Sequence, residues 1–491
     1  MGKDWELSRR GFLGLAGLVG VGLAGACTRG TPSSQSADVI VVGAGVSGVA
    51  AARAISAAGL SVLVLEARNR VGGRLFTKDL DGGGWVDLGG QWLGPTQDRA
   101  LAMTAEMGLR HFDWKPETDP HTPVSWRWSG ATWTSAGDPA AATYGGPSSV
   151  SRSDEQDLNR LLAEYRDLAK TVPPAAPWKA PRARELDSIT LQTWLDQNAS
   201  TAYARRFFSL DTGGDKEAGA GSLSMLYMCW LNATAPKEQG PEDYLVEGGL
   251  GKLPVLMAKS LGDRVILNSP VYAISQNESG VTVDTPAASY SGKYVIVAIP
   301  PPLAGRIMYT PALPANRMQV TQRNPLGTSI KCLAVYPEAF WRTSRGHAWS
   351  GQGDVPTISY AADSSPSSGK PGVMASFIEG SAAYALADAT TEVRKRKVID
   401  DFVALLGPEM ADPVEFYEMN WPAEQWSAGA STVYFPPGVL SEEPLVRALF
   451  DPVGRIHWAG SENATRWPGY VDGGIRAGED QARLVVQRIA G

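Results

Sequence analysis

Residues 38–77 read DVIVVGAGVSGVAAARAISAAGLSVLVLEARNRVGGRLFT, and their order decides the fold. An apolar strand, DVIVV, runs into Gly43-Ala44-Gly45-Val46-Ser47-Gly48. A small-residue helix follows, then a second apolar strand, SVLVL, that stops at Glu66. Strand, G-x-G-x-x-G turn, helix, strand and acid in this order make a βαβ unit that holds a dinucleotide. Gly43 permits the tight turn, Gly45 lets the backbone approach a pyrophosphate, and Gly48 lets helix and strand pack closely. Val46 and Ser47 open the helix, whose N-terminal amides and dipole favour an anion. Glu66, followed by Ala67 and Arg68, sits where an acid accepts hydrogen bonds from a ribose. An acid there fits an unphosphorylated ribose and disfavours NADP. The glycine turn alone would carry little weight; its βαβ setting makes it specific.

Around this unit the chain has 491 residues, 43% hydrophobic and 20% charged, enough for a large core and two domains. The net charge is −6 and the cations are scattered, which argues against a nucleic-acid partner. Beyond Cys27 there are two isolated cysteines, Cys229 and Cys332, and four scattered histidines. Neither set has the spacing of a metal site or a disulfide framework, so an organic cofactor is expected to carry the chemistry.

The first residues read as an address. Ser8-Arg9-Arg10-Gly11-Phe12-Leu13 matches a twin-arginine signal, with a mildly apolar run over 11–26 that is too short to span a bilayer. Leu23-Ala24-Gly25-Ala26-Cys27 looks like a lipoprotein cleavage box. The expectation is a signal over 1–26, a lipid on Cys27 as the one membrane attachment, and a Thr/Pro/Ser-rich tether over 27–36. A plain cleaved signal is the alternative. Either way the protein is exported, to the periplasm or beyond the cytoplasmic membrane.

Periodicity along the rest predicts a hairpin over 125–134 and helices over 153–172, 191–210 and 391–406. Strands are expected over 264–267, 271–274, 281–283, 294–299, 330–336 and 455–458, and a terminal helix over 473–490. The dinucleotide signals return after each excursion. The fold is therefore expected to be α/β plus α+β: a Rossmann-like domain of glutathione-reductase type (37–112, 246–315, 418–491) interleaved with a mixed-sheet and helical substrate domain (113–245, 316–417).

Six further motifs carry a specific resemblance. They are VGGR (71–74), DLGGQWLGPTQ (87–97), PLGTSIKC (325–332), NWPAEQWSAGA (420–430), TVYFPPG (432–438) and WAGSENATRWPGYVDGGIRAG (458–478). With them the chain resembles the bacterial flavin-containing amine oxidases, close in pattern to the monoamine oxidases, over nearly everything from Asp38 onward. The resemblance implies FAD. Gly73 and Arg74 would lie on the pyrophosphate, and Gly89, Gly90, Gln91 and Trp92 beside the flavin ring. Val271 would meet the adenine through its backbone, and Trp421 would pack against the ring. Gly460, Glu462, Gly469, Tyr470 and Val471 would line the ribityl and pyrimidine side. Lys331 matches the lysine that reaches flavin N5 through a water. It stands between Ile330 and Cys332-Leu333, so burial is expected.

Two departures from the monoamine oxidases follow from the same alignment of motifs. Ala430 stands where their cysteine bonds to the flavin, so FAD is expected to be noncovalent. Their facing tyrosine pair is here Tyr470 and Ser431, which removes one aromatic face and opens space for a bulkier or more polar amine. Trp92, Trp426 and Trp467 are the candidates for replacing that surface. The implied reaction moves a hydride from the amine α-carbon to flavin N5. The imine then hydrolyses to a carbonyl compound and ammonia or an amine, and dioxygen or another acceptor takes the electrons. Tyr470, Ser431 and Lys331 are the candidate catalytic residues, no metal is expected, and a homodimer is the expected assembly. Alternatives are an L-amino-acid oxidase, with Arg466 holding the carboxylate, and a noncatalytic FAD-holding lipoprotein.

Overall fold

The computed structural model describes residues 35–114, 123–136, 150–214, 216, 218–234, 240, 242–342 and 349–491. The expected signal, Cys27 and all of the tether except its last two residues lie outside them. Those two, Gln35–Ser36, are not a free tether: they form a short parallel strand against Tyr290 and Ser291.

The βαβ unit forms as its sequence dictates. Val39–Val42 and Val62–Leu65 pair in parallel, joined by the helix Val46–Ala57. Three parallel strands complete a five-stranded sheet in the order Val265–Ile266, Val62–Leu65, Val39–Val42, Tyr294–Val297, Ile456–Trp458. Alternation sorts its side chains. Val39, Val41, Val62 and Val64 pack under the helices, whereas Ile40, Val42, Val295 and Val297 face a meander that includes Ile274, Val281 and Val283. The meander begins at Ala273, two residues later than expected, so Val271 lies just outside it.

The terminal helix, Val471–Ala490, crosses the first helix at close range. A Cβ on Gly478 would stand 2.2 Å from the carbonyl oxygen of Ser47, and one on Gly48 would stand 2.0 Å from that of Gly43. Two bare positions thus set how tightly the glycine turn is clamped.

A seven-stranded mixed sheet forms the second layer, in the order Glu415–Asn420, Ile330–Tyr336, Gly372–Ile378, Ala361–Asp363, Ser350–Gly353, Pro123–Trp128, Ala131–Ala136. The first of these strands crosses the expected boundary at 417/418. Ile330, Cys332, Ala334 and Tyr336 pack against the helix Thr391–Leu406, with Phe402 and Leu405. Leu333 and Val335 face the other way, onto Leu80, Val86 and Leu88 of the nucleotide layer. Both faces are covered, so all seven residues of Ile330–Tyr336 are buried.

The remaining cluster is helical: Arg152–Lys170, Leu191–Asn198, Ala202–Thr212 and Met225–Thr234 around Leu158, Trp194 and Phe208. Ser151 starts the first helix with a capping box to Asp154. The single helix expected over 191–210 is two. Asp157 accepts the amides of Ser200 (2.7 Å) and Thr201 (2.8 Å), and Thr201 caps the second helix.

Substituting Gly478→Ala should therefore destabilise the protein by about 1–3 kcal/mol. Chemical denaturation measures this, and an unchanged midpoint would mean the two helices can part without cost.

Candidate active site

The carboxyl ends of the parallel strands open into a continuous cavity of 1670 Å³ that extends under the mixed sheet to the helical cluster. Drug-sized clefts run to about 1,000 Å³, so this one has room for a dinucleotide and a substrate together.

Its nucleotide end is a wall made largely of backbone. Gly43, Gly45, Val46 and Ser47 line it on one strand–helix turn, Gly72 and Gly73 on the facing loop. Gly73 has φ +59°, and a Cβ there would lie 3.3 Å from the Cα of Gly45. The Ser47 hydroxyl is buried in this wall with no protein partner. An unpartnered buried donor beside free helix-terminal amides fits a phosphate group. Glu66 closes the end of its strand, 3% exposed. Its oxygens accept the amides of Ala44 (2.8 Å) and Arg68 (2.9 Å), leaving lone pairs for a ribose. The Arg68 guanidinium stands 3.6 Å from Glu66 Oε1 and makes closer contacts with Glu424 and with Ser427 Oγ at 2.7 Å.

Arg74 lies on the cavity wall and ties three segments together. It donates to the Ser431 carbonyl at 2.7 Å and to Ser461 Oγ at 3.1 Å, and stands 2.6 Å from Glu462 Oε1. That last contact is an ion pair off hydrogen-bond alignment, since the same oxygen has no hydrogen-bond partner. Glu462 is fully buried behind Arg74 and does not line the cavity; it orients the arginine. Gly460, Gly469, Tyr470, Val471 and Trp421 do line it, and the Trp421 indole donates to the Leu88 carbonyl at 3.0 Å.

Three other expected cofactor residues are not part of the cavity lining. Gly48 acts from within the helix packing. Ala67 lines a separate shallow cleft beside Arg68 and Trp426. The Val271 side chain packs against the meander core, while the contact expected of it is one of its backbone.

Lys331 lies at the junction of the two layers, 1% exposed. Its Nζ donates to the Gly89 carbonyl at 2.7 Å and to Gln91 Oε1, with the Trp92 and Phe377 rings each 5.4 Å away. Burial pulls its pKa down to about 7, against the opposing pull of Asp87 and Glu242. Asp87 is buried too, and burial pushes it up. Thr77 and the amides of Leu250 and Gly251 bind its carboxylate.

Ser431 and Tyr470 both line the cavity. Ala430 and Ser431 reach it because the segment docks on residues 326–329: a Cβ on Gly429 would stand 2.5 Å from that of Leu326. Of the three tryptophans, Trp92 and Trp426 line the cavity, whereas Trp467 is core, with its indole on the Thr96 carbonyl. Sequence reading found one ring of the chief aromatic surface, Trp92, and missed the other two. Trp92, Tyr360 and Phe377 form a cluster with centroids 5.3–6.2 Å apart. It also missed the carboxylates Glu242 and Glu379 and the cation Lys216, which line the same end. Arg466 is not a carboxylate site. It is outside the cavity, paired with Asp98 at 3.3 Å and the Thr96 carbonyl at 3.1 Å.

A dinucleotide cradle that opens on an aromatic chamber with a buried lysine defines a flavoenzyme of the amine-oxidising class. The chain belongs to the flavin containing amine oxidoreductase family, whose profile matches residues 46–486. It is 38% identical to an L-amino acid dehydrogenase of Synechocystis sp., over 94% of this chain and 97% of that one. It is 36% identical to the flavin-containing amine oxidase B of Sus scrofa, over 92% and 86%. Among solved structures it resembles wild-type putrescine oxidase bound to putrescine: TM-score 0.83, 33% identity, 93% of this chain and all of that one. The protein is thus a flavin-dependent oxidoreductase acting on amine C–N bonds. Among the described residues there is no cluster of metal-binding side chains, and no helix is long and apolar enough to cross a membrane.

Gly45 tests the cradle directly. Its φ of −69° suits any residue, and a Cβ there meets nothing closer than 4.0 Å. Gly45→Val should fold but fill the cradle, giving soluble protein without the visible flavin band. Full flavin occupancy in that variant would place the cofactor elsewhere.

Proposed function

We propose that the protein oxidises a small-molecule amine in the chamber bounded by Lys331, Trp92, Tyr360, Phe377 and Tyr470, using noncovalently held FAD. When bound, FAD supplies the two-electron acceptor for the hydride of the amine α-carbon. Gly43, Gly45, Val46, Ser47, Gly73 and Arg74 hold its pyrophosphate and Glu66 its ribose. The aromatic walls exclude water and give the amine an apolar surface to lie against. Lys331 holds or accepts a proton at Nζ, between the chamber and the Gly89–Gln91 loop. The imine leaves to be hydrolysed to a carbonyl compound and ammonia or an amine.

The observation that carries this reading is the buried Lys331 amino group on the cavity wall where the cradle meets the aromatic cluster. Noncovalent attachment is supported by Ala430, which offers a methyl group to the cavity, and by Cys229 and Cys332, buried outside its lining. Dioxygen is the acceptor we assign, giving hydrogen peroxide. An electron carrier is the second reading, favoured by the similarity to a dehydrogenase. For the substrate, Glu242 and Glu379 at the chamber end favour a cationic amine over an amino acid; Lys216 is the group that would favour the reverse. We also propose export through the twin-arginine signal at 1–26 and a lipid on Cys27.

Anaerobic mixing with amines and amino acids tests the function, and amines are expected to bleach the flavin absorbance. Bleaching by amino acids alone would transfer the assignment to an amino-acid oxidase, and bleaching by nothing in a broad panel would overturn it. Acid precipitation should leave all flavin in the supernatant, whereas flavin in the pellet would contradict the Ala430 argument.

A further inference from the structure

Lys331 Nζ touches two polar partners, and both can only accept its protons: the Gly89 carbonyl and Gln91 Oε1. The second is an acceptor only because of how the Gln91 amide is turned. Gln91 is 1% exposed, and its Nε2 donates to Ser364 Oγ at 2.6 Å. Ser364 is itself buried, with its hydroxyl 3.5 Å from the Ala362 carbonyl. Turning the amide over would present an NH2 group to a lysine amino group, donor against donor, inside a low-dielectric wall.

We propose that Gln91 and Ser364 are positioning residues for Lys331. The serine fixes the amide, and the amide oxygen and the Gly89 carbonyl together take two N–H bonds of the lysine. One valence is left, directed at the cavity between the Trp92 and Phe377 rings. This rests on the reading of Lys331 as the lysine of the reaction.

The consequence is a count of protons. A charged lysine has three N–H bonds; two are taken, and the third is offered to the cavity as a donor. A neutral lysine has two, both taken, and its lone pair faces the cavity as an acceptor. The site thus changes from donor to acceptor with one proton and without moving a heavy atom. The ionisable groups on the Nζ side of the cavity are Asp87 from the strand Trp85–Asp87, Glu242 ahead of Tyr244–Val246, Tyr360 ahead of Ala361–Asp363, Glu379 just after Gly372–Ile378, Tyr470 ahead of the terminal helix, and Lys216, whose Nζ lies 5.6 Å from the Tyr360 ring. Asp87 and Glu242 favour the charged state and burial opposes it, which brings the change near neutral pH.

The experiment follows the visible spectrum of the holoenzyme flavin against pH, alongside the rate of flavin reduction by an amine substrate. Wild type should show one spectral transition near pH 7. Lys331→Met should abolish it; if the transition survives in that variant, the lysine reading falls. Given its loss there, Gln91→Leu should move the wild-type transition to lower pH, because an acceptor of the charged form is gone. Ser364→Ala keeps the amide but frees it to turn. It should slow reduction on the order of tenfold to a hundredfold with little change in KM, and Ser364→Thr should restore the rate. A Gln91→Leu transition at the wild-type pH, or a Ser364→Ala enzyme with wild-type rates, would overturn the proposal. So would a defect that Ser364→Thr fails to rescue.

Discussion

One buried amino group constrains how the two layers meet. Lys331 belongs to the mixed sheet, but the acceptors of its protons, Gly89 and Gln91, belong to the loop that leaves the nucleotide layer. The gap between an ordinary lysine value of 10.5 and about 7 corresponds to a burial cost on the order of 5 kcal/mol. The sign matters. A lysine lowered in the folded state carries the full cost below about pH 7, where both states are charged, and none above 10.5, where neither is. At neutral pH the cost is offset only if the acceptors stay in place. A shift between the layers that separated the sheet from the loop would strand a charge in the interior.

That constraint explains features of the cradle that look unrelated to it. Gly89 can accept from Lys331 only if its own backbone lies against Arg74, and a Cβ at Gly89 would stand 2.0 Å from the Arg74 carbonyl oxygen. Arg74 in turn is anchored to Ser431, Ser461 and Glu462, from two later segments of the chain. The terminal segment is fixed by Asp472, which accepts the amides of Arg99 and Ala100 and pairs with Arg476. Tyr470 and Val471 are therefore placed by a chain of polar contacts rather than by local preference.

What was legible in the sequence follows from the range of the interactions involved. The glycine turn, the two apolar strands and Glu66 encode their structure within thirty or so residues, so the parallel sheet could be read directly. Burial of Lys331 was readable too, from Ile330, Cys332 and Leu333 beside it. Phe377 and Glu379 were not. They reach the cavity because Lys331 pairs with Phe377 across an antiparallel register, and the run GVMASFI shows a strand without saying what it pairs with. Ser364 was hidden for the same reason, since its partner Gln91 is 273 residues away. Arg466 failed in the opposite sense: it offered the cation that an amino-acid carboxylate would need, but Asp98 and the Thr96 carbonyl hold its side chain outside the cavity.

The loss of one tyrosine of the facing pair is best understood against this register. Ser431 lines the wall formed by the later segments, together with Trp426 and Tyr470. Much of the aromatic surface that bounds the chamber comes from the mixed-sheet side, where Tyr360 and Phe377 pack at tilted angles against each other and Trp92, with Phe377 and Trp92 beside the lysine. Burial holds the Tyr360 phenol well above its ordinary range, so it stays neutral and acts as an aromatic face with a polar tip. The aromatic surface of this chamber is thus gathered on the side of the mixed sheet. On that side Lys331 and Phe377 pair across the sheet and share a face, and Glu379 follows the end of the Gly372–Ile378 strand in extended backbone, lining the same cavity. The paired strands that place Lys331 and Phe377 thus bring Glu379, just past the end of the second, to the same cavity.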